Sequence, residues 1–142
     1  MKILVINGPN LNFLGIREPA IYGSATYADL VEMLKQEGAR LGVKTEFYQS
    51  NHEGDLVDAI QGAYGNVDGI VINPGAYTHT SVALLDAVKA VGIPTVEVHI
   101  SDPDTREEFR MISYIRLACV ATIKGKGFAG YAEAMRLLAE QK

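Results

Sequence analysis

The chain has 142 residues, of which 48% are hydrophobic, so its length fits one domain with a core that needs no disulfide or metal. A formal charge of −4 without any long basic run argues against a nucleic-acid binder. The single cysteine, Cys119 in an apolar run, excludes a disulfide framework and a thiolate metal site and indicates a reducing compartment.

From the first residues of the sequence we expect neither a secretion signal nor a membrane anchor. Met1 is followed directly by the strand-like KILVIN rather than by a basic segment and a longer apolar one. No stretch reaches the roughly 18 apolar residues of a membrane span. We therefore expect one domain, residues 1–142, that acts in the cytoplasm on a small molecule, without a membrane or nucleic-acid partner.

The first element is a continuous apolar run over residues 2–7, which predicts a strand covered on both faces and ended by Gly8-Pro9. The next segment, 10–25, has no helical or strand period. It is long for a strand-to-helix connection, which typically takes about 2 to 6 residues. Its aromatic and apolar side chains argue against permanent disorder, so we expect this segment to form a lid.

A helix and an edge strand follow. Thr26 and Asp29 have the spacing of a capping box, and the apolar stripe behind them predicts a helix over 27–41. Residues 44–49 (KTEFYQ) are less apolar than the first strand and predict a strand at the edge of the sheet.

Residues 50–88 predict a second helix and then a strand–loop–helix unit. Ser50 and Glu53 again have capping-box spacing, before a helix that should end at Gly65. The unit, 69–88, joins a buried β-branched strand to a helix with an apolar stripe. The loop inside it carries hydrogen-bonding side chains: Asn73, Tyr77, Thr78, His79, Thr80 and Ser81.

The rest of the chain predicts two strands and a terminal helix. TVEVHI (95–100) is the fourth strand, 117–123 the fifth, and 130–138 the helix. Strands that alternate with helices predict an α/β doubly wound parallel sheet. Five strands fit the flavodoxin-like order 2-1-3-4-5 better than a six-stranded dinucleotide fold.

This strand order predicts a crevice at the carboxyl ends of strands one and three, whose connections leave in opposite directions. Three loops converge there, and open α/β sheets bind their ligands at such a point. The candidate residues are Asn10, Asn12, Arg17, Tyr22, Asn73, His79, His99, Ser101 and Arg110.

Gly125-Lys-Gly-Phe-Ala-Gly130 matches the dinucleotide motif G-x-G-x-x-G and lies between a strand and a helix. The chain has only 12 further residues, so there is no second strand and no acidic residue about 20 positions on to hold a ribose. We interpret the motif as a glycine-rich turn that lets the last helix pack closely.

The three histidines have no metal-site spacing. His52 fits a surface position, whereas His79 and His99 each remain open between a capping residue and a functional group. An arginine, a tyrosine, two histidines and several amides at one crevice suit proton transfer on a small polyhydroxylated acid. The spacing of the residues does not name the reaction.

At these residues the chain resembles the type II 3-dehydroquinate dehydratases of the shikimate pathway. The blocks that carry the resemblance are NGPNLNFLGIREPAIYG, QSNHEGDLVDAI, VINPGAYTHTSVALLDA, VEVHIS, REEFR and GKGFAGY. The resemblance implies a flavodoxin-like fold, no cofactor or metal, and an anti elimination of water from 3-dehydroquinate to 3-dehydroshikimate in aromatic amino acid biosynthesis. No lysine lies in the crevice loops, so no imine with the substrate is expected.

The resemblance also implies the catalytic roles. Tyr22 takes the C2 proton, Arg17 favours the Tyr22 phenolate, and His99 protonates the departing hydroxyl after an enolate has formed. Asn12 helps to position the enolate oxygen through a water.

The same resemblance implies the substrate-binding groups and the assembly. Asn73 with the backbone of Ile100 and Ser101 holds the substrate carboxylate. His79 and Arg110 hold ring hydroxyls, and a homododecamer built as a tetramer of trimers brings Asp86 to a neighbouring subunit's site. The alternative from another class is a flavodoxin-like binding module without catalytic activity.

Overall fold

Five parallel strands form one sheet in the computed structural model, which describes residues 1–16, 20 and 24–141. The strands are β1 (Lys2–Asn7), β2 (Lys44–Gln49), β3 (Gly69–Asn73), β4 (Thr95–His99) and β5 (Ala121–Lys124). The α-helices are α1 (Tyr27–Leu41), α2 (Glu53–Ala63), α3 (Val82–Val91) and α4 (Ala129–Glu140). The sheet order β2-β1-β3-β4-β5 confirms the predicted flavodoxin-like architecture.

Alternate side chains of the central strands enter two separate core layers, because successive strand residues point to opposite faces. Val5 and Val71 pack with residues of α1 and α4, whereas Ile6 and Ile72 pack with residues of α2 and α3. All five residues of β3 are buried. A strand covered on both faces explains the unbroken apolar run that the sequence shows there.

Of the two predicted capping boxes, one is confirmed and one is wrong. Thr26 accepts from the Asp29 backbone N–H at 3.1 Å, and the Asp29 carboxylate accepts from the Thr26 N–H at 2.9 Å. The second helix instead begins after His52, which makes no side-chain cap. Ser50 donates to Asp55 at 2.9 Å, so the serine hydroxyl contacts the helix two residues beyond the predicted partner.

The fifth strand is shorter than predicted. Ile115–Ala118 form a 3-10 turn that packs against α3, and the strand begins only at Ala121. Apolar composition suggested a strand from residue 117, but the Leu117 side chain is 76% exposed and has no place in the sheet. The second helix also ends at Ala63, before Gly65, which leaves Tyr64 exposed.

The loops after β1 and β3 cross in close contact and set the shape of the predicted crevice. The Gly8 N–H donates to the Asn73 carbonyl at 2.8 Å, and a Cβ at Gly8 would lie 2.5 Å from the Pro74 carbonyl oxygen. Leu11 and Leu14 are buried in the core beside β1. The first residues of the predicted lid are therefore anchored to the domain.

Among the described residues, no helix is both long and apolar enough to cross a membrane.

Candidate active site

A cleft opens at the carboxyl ends of β1, β3 and β4, where the strand order predicted it. Its lining brings together five of the six predicted substrate-binding residues with one catalytic candidate. The residues that line it are Pro9, Asn10, Leu11, Leu14, Asn73, Gly75, Ala76, His79, His99, Ile100, Ser101, Pro103, Arg106 and Arg110. Arg106 is an addition to the sequence-based set, and it gives this cleft a second arginine.

His99 lies at the end of β4 and is held there by a buried carboxylate. Its Nε2 is 2.5 Å from Oε2 of Glu97, two residues earlier on the same strand and fully buried. An ionised carboxylate only accepts hydrogen bonds, so Nε2 carries the proton of this contact. Nδ1 is therefore the ring nitrogen left for a molecule in the cleft.

The Glu97 carboxylate is fully satisfied by neighbours from four segments of the chain. The contacts to Oε2 come from the hydroxyls of Thr78 and Ser113, both at 2.8 Å, besides His99. The contacts to Oε1 come from Arg116 Nε at 3.1 Å and the Thr122 hydroxyl at 3.0 Å. A buried charge is tolerated only when it is paired and hydrogen-bonded in this way.

The hydrogen bonds outweigh the effect of burial on Glu97. Burial alone would raise the pKa of Glu97, but the contacts from His99, Ser113 and Thr78 bring this pKa far below its usual value. Glu97 is therefore an anion throughout the neutral range, with its charge directed at His99 and Arg116.

Two further predicted residues, His79 and Arg110, lie together at the outer side of the cleft. His79 Nδ1 is 2.6 Å from the Ile112 carbonyl oxygen, and its ring meets the Phe109 ring edge to face at 6.4 Å. Arg110 contacts Glu107, and its guanidinium lies 4.9 Å from the Phe109 ring centre. Burial lowers the pKa of His79, and the nearby His99 and Arg110 lower it further. Because the Ile112 carbonyl only accepts, Nδ1 carries the proton of a neutral His79, and Nε2 is left as a hydrogen-bond acceptor.

The remaining candidates lie elsewhere. Asn12 is exposed beside Gln49, with its Oδ1 3.4 Å from the glutamine amide, and is not among the lining residues. Asp86 is exposed on α3, also away from this lining. Arg17 and Tyr22 lie outside the described residues.

The described part of the chain contains no group of three His, Cys, Asp or Glu side chains that could hold a metal ion. Cys119 is partly buried, and burial raises the pKa of its thiol to about 12. Such a thiol stays protonated at neutral pH and is a poor nucleophile.

Comparison with known proteins identifies the family. The sequence profile described as Dehydroquinase class II matches residues 1–139. The chain belongs to this family. A 3-dehydroquinate dehydratase of Clostridium acetobutylicum is 60% identical over 131 residues, which are 92% of this chain and 91% of that protein. One from Corynebacterium glutamicum is 59% identical over 141 residues, 99% of this chain and 97% of its own.

A solved structure agrees with the assignment to the class II dehydroquinases. The crystal structure of a type II dehydroquinase from Butyrivibrio crossotus superposes with a TM-score of 0.96 at 55% sequence identity, over 97% of each chain. In this class II dehydroquinase the parallel sheet brings the loops after β1, β3 and β4 together at one cleft. The resemblance read from the motifs therefore holds for the fold as a whole.

Sequence reasoning missed Glu97 and Arg106. Glu97 lies in the strand TVEVHI, where apolar and polar residues alternate, and in such a pattern a charged residue is predicted to face solvent. Its spacing of two from His99 was the available signal, since residues i and i+2 of a strand share one face.

Proposed function

We propose that this protein dehydrates 3-dehydroquinate to 3-dehydroshikimate, the shikimate-pathway step, by anti elimination through an enolate. The observation that carries the proposal is the meeting of His99, Asn73, His79 and Arg110 in one cleft of a chain that matches the class II dehydroquinase family over residues 1–139. Two histidines and two arginines there suit an anionic, hydroxyl-bearing substrate.

In this proposal the elimination begins with Tyr22, which removes the C2 proton as a phenolate. Arg17, five residues earlier, favours that anion through its positive charge. The electrons of the C–H bond pass into the enolate of the C3 carbonyl, whose oxygen is positioned by Asn12 through a water. These roles rest on the match of the first sequence block to the family.

His99 completes the reaction as general acid. The enolate re-forms the carbonyl and expels the C1 hydroxyl, which takes a proton from the imidazolium and leaves as water. The Glu97 anion 2.5 Å from Nε2 supports this role, because it fixes the orientation of the ring and leaves Nδ1 toward the substrate.

The substrate carboxylate binds to the Asn73 side chain and to the backbone N–H groups of Ile100 and Ser101. Asn73 and Ile100 are both buried, and burial of their polar groups strengthens a hydrogen bond to an anion. His79 and Arg110 hold the ring hydroxyls. The reaction needs no cofactor or metal in this scheme.

Assembly into a homododecamer, a tetramer of trimers, is part of the proposal. It is supported by the concentration of exposed large apolar side chains within residues 109–120, beside the cleft-lining Arg110, because exposed apolar surface of this kind marks interfaces. These side chains are Phe109, Met111, Ile112, Tyr114, Leu117 and Val120. Asp86, exposed outside its own cleft, would reach a neighbour's site. The cytoplasmic location expected from the sequence stays a prediction.

The direct test adds 3-dehydroquinate to the purified protein and follows the ultraviolet absorbance of the conjugated product. Product formation that His99→Ala abolishes supports the proposal. Saturable binding of 3-dehydroquinate with no product would instead indicate the catalytically silent binding module.

A chemical test asks whether the reaction proceeds without an imine between a lysine and the substrate. None of the described residues that line the cleft is a lysine. Borohydride added together with 3-dehydroquinate should therefore leave the activity intact. Covalent trapping with loss of activity would contradict the enolate route.

A further inference from the structure

We propose that residues 125–131, GKGFAGY, form the support that positions the carboxylate-binding groups of the cleft. The inference deepens the proposed function and rests on its carboxylate site. Asn73 is the last residue of β3, whereas Ile100 and Ser101 directly follow β4, and each of the three is hydrogen-bonded to this one segment. Gly125, Gly127 and Tyr131 are thereby positioning residues that act through their neighbours.

The Asn73 amide is fixed at both ends. The Gly75 backbone N–H can only donate, and it lies 3.0 Å from Oδ1 of Asn73. The other amide atom is therefore Nδ2, which donates to the Tyr131 hydroxyl at 2.8 Å. The orientation of the Asn73 side chain thus depends on a residue of α4.

The Tyr131 hydroxyl in turn donates a hydrogen bond to the first strand. Its oxygen lies 2.6 Å from Oδ1 of Asn7, and both side chains are fully buried. Burial raises the pKa of Tyr131, so the hydroxyl stays protonated and continues to donate. A phenylalanine would keep the packing of the ring but would leave the Asn73 amide without an acceptor.

The glycine turn fixes the two backbone donors. The Gly125 N–H lies 3.2 Å from the His99 carbonyl and 3.2 Å from the Ser101 carbonyl, and the Gly127 N–H donates to the Ile100 carbonyl at 3.0 Å. In a planar trans peptide the C=O of one residue and the N–H of the next point in opposite directions. Because the carbonyl groups of His99 and Ile100 face the turn, the N–H groups of Ile100 and Ser101 point away from it.

The glycines are required by the backbone conformation of this turn. Gly125 and Gly127 have φ of 76° and 58°, a region that side-chain-bearing residues rarely adopt. A Cβ at Gly127 would meet no atom within 4 Å, so its need for glycine comes from the backbone alone. At Gly130 a Cβ would lie 3.2 Å from the Ile123 side chain, which agrees with the predicted close packing of the last helix. The segment that matches the dinucleotide motif thus supports the carboxylate-binding site instead.

The kinetic test compares Tyr131→Phe and Gly127→Ala with the wild type. Each variant should raise KM for 3-dehydroquinate on the order of tenfold with a smaller change in kcat, because a hydrogen bond to a charged group is weakened. The methyl ester of 3-dehydroquinate, which lacks the anion, should be affected much less. The matched control is Gly42→Ala, where φ is 72° and a Cβ also meets nothing within 4 Å, but far from the cleft.

A second measurement does not depend on turnover. In ¹H–¹⁵N spectra, Tyr131→Phe should shift the Asn73 side-chain amide, and Gly127→Ala should shift the Ile100 and Ser101 amides, while Gly42→Ala moves neither set. The inference would be overturned if KM rose equally for 3-dehydroquinate and its methyl ester. It would also be overturned if the amide chemical shifts of Asn73, Ile100 and Ser101 stayed unchanged in the variants. A wild type without turnover would refute the proposed function alone, and the spectra would still decide on the positioning role.

Discussion

Glu97 and its partners show how much of this site depends on groups that are far apart in the sequence. The carboxylate is surrounded by Thr78, Ser113, Arg116 and Thr122, from the loop after β3, the segment before β5, and β5 itself. Local pattern could predict His99 at the end of a strand. The spacing of two places Glu97 on the same face of β4, but it could not predict that this charge is buried, because its other partners meet it only after the fold has formed.

Substitution of Glu97 should change both stability and its pH dependence. The folded-state pKa of Glu97 lies below its unfolded value of 4.5, so its stabilising effect is complete above pH 4.5 and is lost as the pH falls toward the folded value. Glu97→Gln should lower the free energy of unfolding at pH 7 by about 3 kcal/mol, because Arg116 and His99 lose their anion. Its stability should also fall less steeply below pH 4.5.

The measurement is denaturant unfolding between pH 3.5 and pH 7, with kcat recorded at neutral pH. Glu37→Gln serves as control, since Arg40 lowers the pKa of Glu37 as well, but on α1 and away from the cleft. A Glu97→Gln protein as stable and as active as the wild type would contradict the role assigned to the carboxylate.

Tyr22 and Arg17 give a prediction about the proton abstraction. An ordinary phenol has a pKa of about 10 and is a poor base at neutral pH, so the proposed role of Tyr22 requires a cation, which we propose is Arg17, to favour the phenolate. Tyr22→Phe should abolish turnover while substrate binding is largely kept. Arg17→Ala should keep a low activity that increases with pH, because alkali replaces part of the effect of the guanidinium.

The profile of kcat against pH, with C2-deuterated substrate to report proton abstraction, distinguishes these outcomes. Near-normal turnover by Tyr22→Phe would remove the tyrosine from the mechanism and leave His99 or His79 as the base.

Among the elements, those bounded by clear local signals were predicted well, and those without such signals were not. β1, α1 and β2 begin and end at the predicted residues, because their burial pattern, caps and glycine stops are all local. Residues 117–120 were predicted as strand, although 117 and 118 end a 3-10 turn and the strand begins at 121, since an apolar run does not reveal whether it lies in a sheet or at the surface.

The crossing of the loops after β1 and β3 leads to a prediction at Gly8. A Cβ there would lie 2.5 Å from the Pro74 oxygen and 2.7 Å from the Pro74 carbon, both backbone atoms that cannot rotate away. Gly8→Ala should therefore lower the free energy of unfolding by about 1 to 3 kcal/mol and raise KM, because Asn73 and Gly75 shift with Pro74.

Gly62→Ala is the matched control. Gly62 lies near the end of α2, where a Cβ would meet nothing within 4 Å. This change should stabilise the protein by about 0.5 to 1 kcal/mol, since alanine favours a helix over glycine. Thermal unfolding and steady-state kinetics on both variants measure the difference in stability and in KM. A KM equal to that of the wild type in Gly8→Ala would refute the prediction.

At the scale of the whole molecule, the position of Asp86 connects activity with assembly. The side chain is exposed on α3 and is absent from the lining of its own cleft. If Asp86 serves a neighbour's site, two inactive variants should complement each other. Subunits with Asp86→Ala and subunits with Tyr22→Phe should each be inactive alone.

Mixed oligomers of the two variants, formed by joint refolding at equal amounts, should recover about a quarter of wild-type activity. That fraction is the chance that an intact Tyr22 subunit lies beside an intact Asp86 subunit. Refolding each variant by itself is the control. Activity of Asp86→Ala alone, or a fully active monomer in sedimentation, would show that the site is complete within one subunit.

The hydrogen bond between Tyr131 and Asn7 joins positions 124 residues apart, which has a consequence for how the enzyme matures. A chain on the ribosome emerges from its amino end, so β1 and the loops of the cleft exist well before Tyr131 has been made. Contacts of such long sequence separation also form slowly, since the intervening chain must be closed into a loop. If the proposed anion site depends on Tyr131, a nascent or carboxyl-clipped chain can pair its first strands and still lack that site, so we expect activity only after Tyr131 has joined Asn7.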